Sequence, residues 1–315
     1  MIATELYNGQ GFGNQLWVYV LARIIADHKE CDFSILSSSQ FKGVDFIDLD
    51  FGINIDGYTS NEGPCSSLPN GILNYYQEKK EIHSELNLDV SRTDYKLFDI
   101  DLNTKIDGNL QSTKYLSGKR EKILEWIKFK QEFSSDLLNE NSCIIHLRCG
   151  DFYAQKDVFL PWSYYNNAMN IVKEKNPNVK FFCVTDQPER AKEMFADIEI
   201  IGSSVDGSSD NLMASHHFGG PIGIDFSLMV NAKYLIIPNS SFSWWAAYLN
   251  TTSELIIAPK YWSRFNISNG YWSTSDMIAD EFYYIDREGK IFTPQECNSE
   301  KEDFEKNNLN IFKTI

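Results

Sequence analysis

His146, Arg148 and Asp151 are, by type and spacing, well placed to do chemistry. They stand in Cys143-Ile144-Ile145-His146-Leu147-Arg148-Cys149-Gly150-Asp151-Phe152, an apolar run that ends in a base, a glycine and a carboxylate. Arginine is always charged and presents a planar donor fork that fits a phosphate. A carboxylate past a glycine turn can take a proton from an attacking hydroxyl. The same Arg and Asp can also pair with each other at a strand end, and the segment alone leaves both readings open. His146 either orients Arg148 or touches a ligand, or it is a satisfied core histidine.

A second stretch is Pro238-Asn239-Ser240-Ser241-Phe242-Ser243-Trp244-Trp245. Asn239, Ser240, Ser241 and Ser243 fill a turn into a helix, where hydroxyls and backbone N–H groups suit phosphate oxygens. Ser240 or Ser241 serves equally well as an N-cap, and Trp244 and Trp245 read as core. Asp186, after another apolar run, can accept from a base amino group or cap the next helix. A third stretch, Gly9-Gln10-Gly11-Phe12-Gly13-Asn14-Gln15, lies between a first strand over 2–6 and a helical pattern over 16–27. Gly11, Gly13, Asn14 and Gln15 would there present N–H groups to an anion. The glycines fit a tight turn as well.

The elements that must position these groups alternate. Residues 143–147 read as a buried parallel strand, and a helix starts near Pro161. Strands follow at 181–184, 198–201, 234–237 and 255–258. Helices run from Pro188 to Phe195, from Asp225 to Asn231 and from Ser241 to Leu249, with a polar loop over 206–210. Repeated strand–helix units predict a parallel, doubly wound sheet. Upstream, 31–36 reads as a strand, 40–118 as irregular, and 119–138 as a helix before a hinge at 139–142. The division expected is 1–141, 142–295 and a charged tail over 296–315.

Composition narrows the class. With 315 residues, a net charge of −15 and 43% hydrophobic residues, the chain is a globular protein of about two domains. No basic cluster supports nucleic-acid binding. None of the six cysteines forms a CxxC pair, which argues for reduced thiols and against a zinc site or disulfide scaffold. The N-terminus carries no signal-peptide pattern, and no apolar run is long enough to span a bilayer. The expectation is a cytoplasmic protein that visits a membrane only peripherally.

Four segments then carry a family resemblance. Gly9–Gln15 resembles the GGxGNQ motif of bacterial α-1,2-fucosyltransferases (glycosyltransferase family 11). His146–Phe152 resembles their HxRRGDY motif. Residues 182–190 also match, and the block from Asp225-Phe226-Ser227-Leu228-Met229 through Asn239–Trp245 to Ala258-Pro259-Lys260-Tyr261-Trp262 is the most specific. The resemblance implies an α/β GT-B-type fold, with two Rossmann-like domains facing a cleft. It implies an inverting enzyme that moves L-fucose from GDP-fucose to a galactoside hydroxyl, with no metal or other cofactor. The N-terminal domain would present a galactose-containing glycan acceptor, which can be lipid-linked at the inner face of a membrane. The C-terminal domain would hold GDP through His146, Arg148, Asp186 and the Asn239–Ser243 turn, with Arg148 and Asp151 catalytic. The family's second Arg is Cys149 here, so a charge is missing, and a related GDP-deoxysugar such as colitose stays open as donor. A metal-dependent GT-A transferase, from the DxD strings at Asp48-Leu49-Asp50 and Asp99-Ile100-Asp101, and a non-catalytic sugar-binding protein are the rival readings.

Overall fold

Short aliphatic runs become strands and the amphipathic stretches between them become helices, in two α/β units. The computed structural model describes residues 1–55, 71–79, 82–83, 88–89, 93–202, 222–268, 270, 272 and 276–308. One unit comprises Met1–Gln131 with Thr274–Met277, the other Glu132–Ser273 with Ile278–Ile315. The division falls upstream of the expected hinge, and 274–277 return to the first unit without any sequence signal. Among the described residues no helix is long and apolar enough to cross a membrane.

The first unit contains β1 (Ile2–Glu5), α1 (Phe12–His28), β2 (Phe33–Leu36), β3 (Ile47–Asp48), β4 (Asn74–Gln77), β5 (Ile82–His83), β6 (Leu88–Asp89), β7 (Thr104–Asp107), α2 (Thr113–Leu116), α3 (Arg120–Trp126) and β8 (Lys128–Phe129). Its main sheet has the order β2-β1-β7-β4, parallel throughout. Helix α1 starts earlier than the periodicity predicts, because Gly11 at the N-cap is extended and Phe12 already turns inward. The helix expected over 119–138 stops at Trp126. The chain then extends, and Lys128 and Phe129 pair antiparallel with Asp48 and Ile47.

Three charges are buried in this sheet. Lys105 Nζ lies 2.6 Å from Glu5 Oε2 and 3.2 Å from Asp107 Oδ2. Burial holds the Asp107 carboxyl above the usual carboxylate range, with Lys105 pulling the other way. Removing one partner of a buried ion pair leaves an uncompensated charge and costs about 3–5 kcal/mol. Lys105→Met is expected to lose that much stability in denaturant unfolding at neutral pH. Without Lys105 the burial of Asp107 would hold its carboxyl still further above its unfolded value. That penalty is present at high pH and is relieved as pH falls toward about 4. A deficit that does not change with pH would show that lost packing, not charge, is the cause.

The second unit contains β9 (Ser142–Leu147), α4 (Trp162–Lys175), β10 (Lys180–Thr185), α5 (Pro188–Met194), β11 (Glu199–Ile201), α6 (Ile222–Val230), β12 (Tyr234–Ile236), α7 (Ser241–Leu249), β13 (Leu255–Pro259), β14 (Tyr283–Ile285), β15 (Ile291–Phe292) and α8 (Pro294–Asn307). The sheet order is β11-β10-β9-β12-β13-β14-β15, parallel from β11 through β14, with β15 antiparallel at the edge. Strands β9 to β11 are laid down in one direction and β12 to β14 in the other, so the order reverses between β9 and β12. Ligands in open α/β sheets bind outside the carboxyl ends of the strands at that reversal. Cys143, Ile145 and Leu147 face a core with Tyr164, Tyr165, Val172 and Phe195. His146, on the other face of β9, packs 5.8 Å from the Phe242 ring of α7. Helix α6 begins at Ile222, and Asp225 sits in its first turn instead of capping it. The polar loop expected over 206–210 lies outside the described residues.

The described part of the expected charged tail lies in helix α8, which starts with a reciprocal capping box between Thr293 and Glu296. Its Glu300 lies 2.5 Å from Lys260 Nζ and accepts a hydrogen bond from the Tyr261 hydroxyl. Lys260 is buried and its ammonium sits 3.5 Å from the Phe292 ring centroid. Tyr261 and Trp262 both have positive φ, 64° and 48°, a conformation bulky residues adopt only when their surroundings enforce it. Glu300 thus clamps a strained turn just after β13.

Candidate active site

Arg148 leaves β9 at the reversal of strand order and is held by two carboxylates. Its Nη1 donates to Asp186 Oδ2 at 2.5 Å and its Nη2 to Asp151 Oδ1 at 2.8 Å. The Asp151 side chain is 63% exposed, against 14% for Asp186. The other Asp186 oxygen accepts the Cys149 N–H at 2.9 Å. Asp186, at the end of neighbouring β10, therefore anchors both Arg148 and the backbone of its turn. The N-cap of α5 is Gln187, so Asp186 does not cap that helix. Asp151 sits in a short 3₁₀ turn, Gly150–Ala154, where it meets Arg148 from the solvent side.

Cys149 points the other way, into the core with Cys183 and Tyr165. Burial, with the Asp186 charge added, pushes its thiol up to about 12. The missing second arginine of the motif is thus replaced by a neutral group facing the apolar interior. His146 is pushed down to about 3, by burial first and by the Arg148 charge second, so it is neutral at ordinary pH. Its Nδ1 is buried and has no hydrogen-bond partner among the described residues. The reading of a satisfied core histidine does not describe it.

Across the reversal, the turn from β12 into α7 behaves residue by residue. Asn239 is buried and its Nδ2 donates to the Val158 carbonyl at 2.9 Å, while its Oδ1 has no partner among the described residues. Ser240 stands at the N-cap position of α7, extended, with no side-chain cap bond. Ser241 opens the helix and is partly exposed. Ser243 is fully buried and its hydroxyl donates to the Ser240 carbonyl at 3.2 Å, so it faces inward and offers nothing to a ligand. Trp244 and Trp245 are core.

Three residues that the sequence reading missed support the site. The Tyr164 hydroxyl donates to the Ile237 carbonyl beneath the β12 turn. Asn266 Nδ2 donates at 2.8 Å to the carbonyls of Lys156 and Phe159. With Asn239, it ties down the loop that follows Asp151. Arg190 on α5 is the third. Tyr164 and Asn266 each fall just outside or at the rim of an apolar run, and only tertiary pairing distinguishes them from ordinary surface polars.

The glycine loop belongs to the first unit. Gly11 has φ −66° and ψ 151°, and a Cβ built at Gly9 or Gly11 would meet nothing within 4 Å. Neither backbone conformation nor packing requires glycine at those two positions, so the tight-turn reading is not supported there. Gly13 is buried in the first turn of α1. Asn14 Oδ1 accepts from Gln111 Nε2 at 2.8 Å. Gln15 is structural: its Nε2 donates to the Gln40 carbonyl at 2.8 Å and its Oε1 accepts the Lys42 N–H at 2.9 Å.

Among the described residues no group of three or more His, Cys, Asp or Glu could hold a metal ion. Asp50 of one DxD string lies 3.8 Å from Arg23.

An α-1,2-colitosyltransferase from Escherichia coli is 26% identical over 276 residues, 80% of this chain and 89% of that protein. The O-antigen biosynthesis glycosyltransferase WbnK from Escherichia coli is 28% identical over 130 residues, 39% of this chain and 40% of that protein. Among solved structures, the NodZ α-1,6-fucosyltransferase co-crystallised with GDP is 18% identical. It covers 81% of this chain and 93% of its own, with a TM-score of 0.44. The Escherichia coli heptosyltransferase WaaC with ADP is 9% identical, covering 96% and 99%, with a TM-score of 0.38. The profile of "Glycosyl transferase family 11" matches residues 72–285, which excludes the glycine loop but includes the Arg148 motif and the whole 225–262 block. That match spans more than half of the sequence, and the chain belongs to glycosyl transferase family 11.

Proposed function

We propose that this glycosyltransferase moves L-fucose from GDP-fucose to a hydroxyl of a galactose-containing glycan, with inversion, in the assembly of a surface polysaccharide. The observation that carries the reading is Arg148, fixed by Asp186 at the end of β9, the strand where the strand order reverses. Charge builds on the departing diphosphate as the acceptor hydroxyl attacks the anomeric carbon. Donors already fixed at that point stabilise the transition state without further reorganisation. Arg148 and the first turn of α7 fill this role. Asp186 acts through Arg148 as its positioning residue, and neutral His146 lines the same face. Asp151 is the group that takes the acceptor's proton.

A second donor is favoured by one observation: the relative that aligns over most of its length is a colitosyltransferase. Colitose and fucose are both deoxyhexoses, and the residues around Arg148 contact the nucleotide end in either case. A donor screen decides. The full chain is incubated with GDP-fucose, GDP-colitose and UDP-galactose and a galactoside acceptor, and the released nucleotide is measured. Release of GDP from GDP-fucose alone supports the first reading, and release from GDP-colitose alone replaces it. Release of UDP, or of nothing, removes the GDP-sugar reading altogether.

The reaction needs no metal when an arginine and a helix start carry the charge. Transfer is therefore expected to keep its initial rate in EDTA. Full loss in chelator, restored by manganese, would move the diphosphate chemistry to a metal and to the DxD reading. A lipid-linked acceptor would bring the protein to a cytoplasmic membrane face as a peripheral visitor.

A further inference from the structure

Two arginines stand where β9 and β10 end, and they are held differently. Arg148 is neutralised by two carboxylates. Arg190, one turn into α5, has no carboxylate within ion-pair distance among the described residues. Its guanidinium carbon sits 3.5 Å from the Tyr153 ring centroid, and its Nε donates to Gln187 Oε1 at 3.0 Å. Tyr153 belongs to the same short turn as Asp151, and its ring meets Phe159 edge-on at 5.3 Å. Gln187 directly follows Asp186. Through Tyr153 in the Asp151 turn and through Gln187 next to Asp186, Arg190 is tied to the same two strand ends as Arg148.

Holding an arginine still removes side-chain freedom, and no salt bridge among the described residues offsets that loss. A planar fork fixed on one face by a ring and on one edge by an amide, with its Nη groups left to donate, is preorganised for an anion. In a chain of net charge −15, a partly buried cation with no carboxylate partner among the described residues is a local exception. Cys149, turned into the core, cannot supply a second charge at this strand end.

We propose that Arg190 is a second diphosphate-binding residue of the donor site, its Nη groups donating to a phosphate oxygen of the bound nucleoside diphosphate, with Tyr153 as the platform that fixes it. The proposal rests on the nucleotide-donor reading given above and adds to it a residue outside the Arg148 motif. Arg148 and Arg190 then divide the phosphate charge between the ends of adjacent strands.

The test is GDP and GMP binding by calorimetry to the full chain, as wild type, Arg148→Ala, Arg190→Ala, Arg190→Lys, Tyr153→Ala and Tyr153→Phe, with thermal midpoints alongside. Arg190→Ala is expected to weaken GDP roughly 10- to 100-fold, the range of a lost charge-assisted hydrogen bond, and to narrow the preference for GDP over GMP. Arg190→Lys keeps the charge but not the fork, and should recover only part of the loss. Tyr153→Ala should weaken GDP several-fold, and Tyr153→Phe should bind as wild type does, because the ring is kept. The thermal midpoints should stay together. If Arg190→Ala fails to fold, Arg190→Lys and the Tyr153 pair carry the same comparison. Wild-type GDP binding that survives Arg190→Ala or Arg190→Lys unchanged, while Arg148→Ala loses it, overturns the proposal and leaves the donor reading standing. A wild type that does not bind GDP overturns both.

Discussion

Arg148→Ala is expected to lower transfer about 10³-fold while the protein stays folded. The scale is that of removing a preorganised donor from a site where charge develops, at a residue that brings a full charge besides. Asp186 loses its partner, but the side chain is not deep in the core, since Arg148 is 26% exposed. Solvent can reach the carboxylate left behind, so the stability change should be small. Arg148→Lys should fail nearly as badly, because a point charge cannot hold Asp186 and meet a diphosphate as a planar fork does. Initial rates on the donor identified by the screen, with circular dichroism as the control for folding, give the answer. A variant that keeps more than about a tenth of wild-type turnover would take Arg148 out of the phosphate site.

Asp151→Asn should reduce turnover by a factor on the order of 10²–10⁴, the range for loss of a general base, and leave GDP binding close to wild type. The geometry sharpens this comparison. Arg148 is gripped twice, and the grip that is buried comes from Asp186. Asp151 approaches from solvent and is dispensable for holding the guanidinium in place. Calorimetry with GDP beside initial rates separates the roles. GDP affinity that falls in step with the rate would make Asp151 an orienter of Arg148 and sink the base assignment. Affinity that rises with turnover kept would make it a placeholder for the phosphate and nothing more.

Parallel strands buried on both faces appear in sequence as unbroken aliphatic runs, and the turns after them as Gly, Asn and Ser. That is why 143–147, 234–237 and the Asn239–Ser241 turn could be read directly, along with Arg148 and Asp151 beyond them. What could not be read depends on which strands are neighbours. Asp186 anchors Arg148 only because β10 lies beside β9, thirty-eight residues apart in sequence. The direction of Cys149 follows from the pleat continuing past the last assigned strand residue, which a turn glycine immediately after it conceals. Ser243 looked available because it shares a helix start with Ser241, but its place on the helix turns it inward. Lys119 to Leu138 kept a helical apolar period that edge pairing with β3 overrode at Lys128. Arg190 closes the matched 182–190 segment, but nothing local marks its stacking on Tyr153, which belongs to another turn.

The Glu300 clamp also has a bearing on how the chain is made. Chains leave the ribosome N-terminal end first, and their parts fold in that order. The Arg148 strand, the Asn239–Ser241 turn and β13 can all pair before α8 exists. Lys260 and the strained Tyr261–Trp262 turn cannot settle then, because the carboxylate that neutralises Lys260 is translated forty residues later. Until it arrives, a lysine destined for burial stays in water and the turn keeps an ordinary conformation. The β13–β15 edge of the sheet therefore matures late, and an interrupted nascent chain would carry Arg148 and the Asn239–Ser241 turn without that edge finished.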